Sequence, residues 1–441
     1  MNKLLLIIFL IVSFHFKDAV ASSNCVFVVF GGAKDWGTIL PGIPTDVSID
    51  IDHIIKKEAN KTGCEVLAMA NDTEEDFLEK LKKLKKNKPG MNYHLAFTDH
   101  GINYNGKGLD SLLVTGKGQS TTYKKFFEAL KENIPKGSHI TYETHYCWSR
   151  MGEMIIESQL DSHFEICGGS SSSPEVLSWH SPSMSKNERG QLGGPYGGVG
   201  LNFANQHLKK KRVAPSFTEF HFEAKKGDVA NLIRNPGLTT SLTYVKNVLQ
   251  SKNIKVPLVS GEIGEVLSEV YWKDDQAVDN FLKSSSVETI NNLSQYFEGQ
   301  CPLPTTKTPF NDFIRRITPI YTDLMEINFS SLPEPYKTQS IDAKSWLEAS
   351  RKNLITLLTK FATEKAQFIV TNRSFPREKF KKTEDEWKEL KQKQMEALRE
   401  YAFNLRIVQE GKMLQKFMMN STPEEQARFK KLLECEQKPM F

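Results

Sequence analysis

Continuous apolar runs alternate with apolar positions at helical spacing along the first half of the chain. Residues 26–30 are wholly apolar and end at Gly31-Gly32, which reads as a strand buried on both faces. After Thr45, a residue able to cap a helix, Val47, Ile51, Ile54, Ile55 and Ala59 recur at helical spacing. Residues 65–69 form a second strand-like run. Thr73 then opens a helix with Glu74, Glu75 and Asp76 in its first turn, Lys82, Lys83, Lys85 and Lys86 at its end, and Pro89-Gly90 as its stop. Both sets of charges complement the helix dipole, so the lysines read as a solvated helix end rather than a binding patch. A third strand runs into His100, and a small hairpin is expected over 109–115. A helix over 122–133 carries Phe126, Phe127 and Leu130 inward; a fourth strand runs into Cys147, a fifth spans 164–169, and a helix is expected over 195–208. This alternation predicts an α/β fold, a mostly parallel sheet flanked by helices, followed by a mainly helical C-terminal region.

Beyond Pro215 the pattern changes. Lys209-Lys210-Lys211-Arg212 precedes it, reading as a solvated helix end and offering a stretch open to proteolytic processing. Residues 216–335, broken by Pro236, Gly261, Gly264 and Pro302-Leu303-Pro304, read as a mixed or helical region. From 336 to 441 the signal is helical. Trp346, Leu347, Leu354, Leu357, Leu358 and Phe361 form one stripe, and Thr383-Glu384-Asp385-Glu386 is a capping-box pattern expected to open a long helix. That helix carries Trp387, Leu390, Leu398, Tyr401, Ala402 and Leu405, and both stripes read as core or domain-contact surface. Ser421-Thr422-Pro423 opens a last helix, with Pro423 at the first position, where its missing N–H costs nothing.

The N-terminus restricts the compartment. Asn2 and Lys3 precede an apolar run over 4–12, and Ala19-Val20-Ala21 supplies the small-x-small pattern of a signal-peptidase site. The expected organisation is a signal peptide at 1–21, an α/β domain at 22–215, the mixed region at 216–335 and the helical domain at 336–441. The mature chain is expected to be exported, to a secreted, periplasmic or lumenal location. Its apolar run is shorter than the roughly 20 residues of a membrane helix, so no membrane contact is expected after signal cleavage. Lys3 and Lys17 against Asp18 carry a net +1, so the formal charge falls from +5 to +4 on cleavage, which gives no argument for nucleic acid. With no Walker loop, His-Glu-x-x-His helix or paired Cys-x-x-Cys, no cofactor and no metal are expected.

Six cysteines in an oxidising compartment tend to pair. Cys25 and Cys64 each open a strand and can bridge if the strands are parallel neighbours. Cys301 and Cys435 flank the C-terminal half and make a second plausible pair. Cys147 and Cys167 remain: either they bridge, or Cys147 is a free thiol. Ligands of open parallel sheets bind outside the carboxyl ends of the strands. His100, Cys147 and a serine-rich loop containing Ser170 and Ser171 all fall there. A cysteine and a histidine so presented support a thiolate–imidazole dyad, and their spacing of 47 residues is close to the roughly fifty of caspase-type enzymes.

Phe97-Thr98-Asp99-His100-Gly101 resembles the histidine-glycine motif of the legumain family of cysteine endopeptidases, within the wider caspase-like group. Residues 26–36, ending at Trp36, resemble that family's first strand and loop, and Cys147 takes its nucleophile position; the resemblance spans about residues 25–205. It implies a caspase/hemoglobinase-like fold that cleaves a polypeptide substrate. His100 and Cys147 would be catalytic, with the N–H groups of Gly101 and Cys147 in the oxyanion hole. His145, Ser170 and Ser171 would bind substrate, and Asp35 is a candidate to orient His100. Bulky Tyr146 and Trp148-Ser149-Arg150 stand where the group carries small residues around its cysteine. His145, at the position that shapes the primary pocket, disfavours a basic side chain and points to asparagine or acidic preference. The same departures fit the alternative of a catalytically inactive caspase-like domain acting as a protein-binding module. By analogy with legumains, inhibition in cis by the C-terminal helical region is expected.

Overall fold

The computed structural model describes residues 24–31, 59–70, 72–98, 108–115, 119–145, 150–158, 163–170, 200–227, 237–256, 327–371 and 377–441. Strand β1 (Cys25–Gly31) has no polar face. Val26, Val28 and Phe30 enter one core cluster while Cys25, Phe27 and Val29 enter the other. A strand apolar on both faces must be interior, and β1 lies between β2 (Glu65–Ala70) and β3 (Asn92–Thr98). Strand β6 (His139–His145) pairs with β3, and β7 (Glu165–Ser170) pairs with β6. All four pairings are parallel, in the order β2-β1-β3-β6-β7. The expected hairpin closes further downstream, between β4 (Leu112–Val114) and β5 (Ser120–Thr122), which are antiparallel.

Helices cover both faces. On one side lie α1 (Glu74–Leu81), α2 (Tyr123–Asn133) and α3 (Met151–Ser158), placing Phe77, Leu81, Phe126, Leu130 and Met154 against the sheet. Thr73 and Thr122 cap the first two, their hydroxyls accepting from the Asp76 and Lys125 N–H groups. On the other side, α4 (Leu201–Lys211) and α5 (Phe217–Gly227) bring Leu201, Ala204, Phe217, Phe220 and Ala224 onto Phe27 and Val29. The helix α6 (Thr240–Ser251), capped by Thr239, packs on α3 and β7. The helix expected after Thr45 lies outside the described residues.

The C-terminal region is helical as expected, comprising α7 (Tyr336–Thr371), α8 (Arg377–Asn420) and α9 (Pro423–Glu436). Two expectations need correction. Thr383 does not start a helix, because α8 already begins at Arg377; the intervening Glu, Lys and Arg residues are good helix formers that carry the helix through the capping pattern. Trp346 is 60% exposed rather than buried with Leu347 and Leu354. The last helix opens as expected: Thr422 and Glu425 form a reciprocal capping box with Pro423 in the first turn. Among the described residues, no helix is long and apolar enough to cross a membrane.

The disulfides revise the expected pairing. Cys25 and Cys64 bridge at the start of neighbouring parallel strands. Cys167, however, bonds to Cys435, 268 residues away. A Cys147–Cys167 bridge and a Cys301–Cys435 bridge are therefore both excluded; Cys147 and Cys301 lie outside the described residues. Pairing followed the spatial docking of α9 beside β7, which spacing along the chain does not encode.

This docking ties the chain's end to the sheet. The Glu436 carboxylate accepts from the Ser241 N–H at 2.6 Å and the Ser241 hydroxyl at 2.7 Å, at the N-terminus of α6. The Thr218 hydroxyl donates to the Glu436 carbonyl, the Met440 N–H donates to the Pro215 carbonyl, and Phe441 packs on Phe27. Packing thus runs straight across the expected boundary at 215. Burial pushes the Glu436 carboxyl up to about 7, outweighing the hydrogen bonds from Ser241. Glu165, by contrast, is held down at about 2, first by its hydrogen bond with His139 and further by Lys438.

Because folded Glu436 holds its proton more tightly than its unfolded value of 4.5, its contribution to stability is full below that pH and is lost as pH rises through about 7. Glu436→Gln should flatten this part of the stability profile, read as urea midpoints across that window. Glu165 acts in the opposite sense, its contribution being lost as pH falls from 4.5 toward 2. Gly168→Ala should destabilise by about 3 kcal/mol, measured by the same unfolding, because a methyl there would sit 2.0 Å from the Tyr142 carbonyl oxygen.

Candidate active site

The strand register sets the geometry of the carboxyl rim. Gly31 pairs with Thr98, and Thr98 with His145, so β1, β3 and β6 end in one row. Ser170, at the end of β7, pairs with Thr144, one residue lower. His100 follows two residues after Thr98 and Cys147 two residues after His145. His100, Gly101, Cys147, Ser171 and Asp35 themselves lie outside the described residues, as does the side chain of His145.

Ser170 is described, and it is buried. Its N–H donates to the Leu238 carbonyl at 3.3 Å. A Cβ on Gly237 would stand 1.7 Å from the Ser170 carbonyl oxygen, so only glycine lets the two backbones approach this closely. Gly169 also bridges Thr239 in antiparallel fashion. The segment 237–239 thus walls the outer side of β7 next to the rim. Sequence reasoning did not foresee this wall, although Pro236-Gly237 marks a turn.

Beneath the rim lies a buried polar group that the expected site did not include. His94 of β3 and Thr141 of β6 are register partners, and the His94 Nδ1 is 2.7 Å from the Thr141 hydroxyl. The His94 Nε2 stands 3.5 Å from the Glu143 carboxylate. All three side chains are buried, and Phe27 and Phe220 pack against the imidazole. The signal was present in the sequence: Thr141 and Glu143 alternate with apolar Ile140 and Tyr142 in a central strand, where polar side chains need internal partners. Glu143 pairs with Gly169 in register, two residues short of the rim row at His145.

His221, on α5, approaches the same end of β7, since a Cβ on Gly169 would meet its Nδ1 at 3.0 Å. The ring stacks on Phe217. Burial holds His221 well below the usual histidine range, and the Lys225 and Arg406 cations lower it further, so it is neutral. Those cations are themselves buried and share Glu410. Lys225 Nζ lies 2.7 Å, and Arg406 Nε 3.1 Å, from its carboxylate. Burial lowers the Lys225 ammonium and the Arg406 guanidinium, while Glu410 opposes both shifts.

One histidine–cysteine cluster occurs among the described residues: His139, Cys167 and Cys435, with candidate ligand atoms within 4.8 Å. Both sulfurs are spent in the disulfide, leaving no thiolate to attack a carbonyl or hold a metal. His139 opens β6, so this cluster sits toward the amino end of the strands, away from the rim.

No protein-family profile matches the chain, and no curated protein matches it in sequence. Among solved structures, caspase-1 from Spodoptera frugiperda aligns at a TM-score of 0.28 and 12% identity, over 46% of this chain and 75% of that chain. At so low a score the likeness carries no argument about the chemistry of this chain.

The polar group beneath the rim is testable. Thr141→Val keeps the shape but leaves the His94 Nδ1 buried without its 2.7 Å partner. The expected cost is about 1 to 3 kcal/mol, measured by urea unfolding.

Proposed function

We propose that this protein is an exported caspase-like cysteine endopeptidase that cleaves polypeptides through Cys147 and His100. The observation that carries this reading is the register of β3 and β6. His100 and Cys147 each follow, by two residues, one member of the matched pair Thr98 and His145, at the strand ends where parallel sheets bind ligands. A second support is the Cys167–Cys435 disulfide, which removes Cys167 as a partner that would consume the Cys147 thiol. Two disulfides also suit an oxidising compartment.

In this reading, His100 accepts the Cys147 proton, and the thiolate attacks the scissile carbonyl. The N–H groups of Gly101 and Cys147 donate to the tetrahedral oxyanion. Collapse to the thioester transfers the proton from His100 to the leaving amine, and water then releases the acyl group by the same base. His145 and Ser171 border the cleft with Asp35 orienting His100, while buried Ser170 contributes through the backbone wall at 237–239. The C-terminal helical region holds the site in check in cis, as in the legumains the motifs resemble.

The test is turnover of peptide libraries by the mature protein, before and after limited proteolysis, alongside labelling by a thiol-directed probe. Cys147→Ala and His100→Ala should each lower turnover on the order of 10⁴-fold or more. Unchanged turnover in Cys147→Ala would overturn the mechanism. A Cys147 that no probe labels, with no turnover, would instead favour an inactive domain that binds protein.

A further inference from the structure

We propose that the C-terminal helical region is a permanent second chain of this protein: backbone cleavage anywhere between Cys167 and Cys435 leaves both halves covalently joined. Cys167 sits within β7, and Cys435 is the penultimate residue of α9. The loop they close spans 268 residues and contains all of α4 to α8, so a cut within it releases neither half. This inference does not depend on whether Cys147 is catalytic.

Three further observations support it. The basic stretch at 209–212 is exposed and lies inside that loop. It ends α4 at Arg212, which has a left-handed φ of 62°, and the following Val213 is 52% exposed. A protease directed to basic residues therefore has an accessible corner between the two cysteines. Next, both bridged cysteines are buried, at 0% and 2% exposure, so a reducing thiolate reaches neither sulfur without local opening. Last, the end of the chain is built into the sheet beside the bridge. Lys438 pairs with Glu165 at the start of β7, Glu436 takes the Ser241 donors, and Met440 bonds to Pro215, three residues beyond Arg212. A new chain end at Val213 would thus be pinned almost at once by the tail.

The consequence concerns regulation. A cut alone cannot expel the C-terminal region; expulsion also requires reduction of the bridge. A dithiol does this by forming a mixed disulfide with one cysteine while the other leaves as a thiolate. The dithiol's second thiol then closes its own ring and releases the remaining cysteine. The His139 Nδ1 lies 4.0 Å from the Cys435 sulfur and 3.3 Å from the Glu165 carboxylate, so the bridge is flanked by a polar pair at the start of β6 and β7.

The full chain, with free thiols first blocked by N-ethylmaleimide, is nicked by limited trypsin digestion, the cut sites being read by N-terminal sequencing. In denaturing gels without reductant, protein nicked between the two cysteines should keep its full-length mass, and dithiothreitol should split it in two. The Cys435→Ser variant should split without dithiothreitol. Independently of whether that variant folds or trypsin nicks the protein, peptic digestion at low pH followed by mass spectrometry should recover a peptide pair joining Cys167 to Cys435. Separation of the nicked native chain without reductant, or a Cys167 peptide joined to Cys147 or Cys301, would overturn the proposal.

Discussion

The in-register backbone pairing of β1, β3 and β6 is the constraint on which the rest of the structure depends. Each of these strands is buried on both faces, so their N–H and C=O groups have no water and must satisfy one another. A shift by one residue would move Phe27 and Val29 to the face now holding Val26, Val28 and Phe30, and both helical layers would lose their fit. The same pairing aligns Gly31, Thr98 and His145 at the carboxyl ends. Core packing and the candidate site are therefore fixed by one register.

Apolar burial does not explain the whole of the second layer. His94 and Glu143 lie in the sheet itself, and Lys225, Glu410 and Arg406 lie between α5 and α8. Buried ions rarely add net stability relative to apolar side chains, but removing one partner is costly because the other is left unpaired. These groups therefore act as alignment constraints, admitting few arrangements of α8 against α5. Glu436 shows the balance at one carboxylate. It faces the positive end of α6 with two donors from Ser241, yet desolvation prevails and raises its pKa. The chain's last helix is accordingly a fixed part of the sheet layer, pinned by a covalent bond and by buried hydrogen bonds.

Much of the fold was legible along the chain. The apolar run over 26–30 announced a two-faced interior strand, Thr73, Thr122 and Thr422 announced helix starts, and Cys25 with Cys64 announced a bridge between strand openings. These features are local: they depend on side-chain period, on hydroxyls within reach of a nearby N–H, and on the spacing of parallel neighbours. Local signals also misled where they were degenerate. Thr383 matches a cap, but the same spacing is compatible with a helix interior, and nothing within that motif reports that α8 had already begun at Arg377. Trp346 fits the apolar stripe of α7, yet it is 60% exposed.

By itself, then, the sequence determined the α/β class, the order of strands and helices, and which segments end at the carboxyl rim, because period and capping are properties of neighbouring residues. Only the tertiary structure decided that Cys167 bonds to Cys435, that Gly237 presses on Ser170, and that His94, Thr141 and Glu143 meet beneath the rim. Each of these joins residues at least 47 positions apart along the chain. Such encounters are set by how layers dock, and docking is a collective result of packing that no local pattern records.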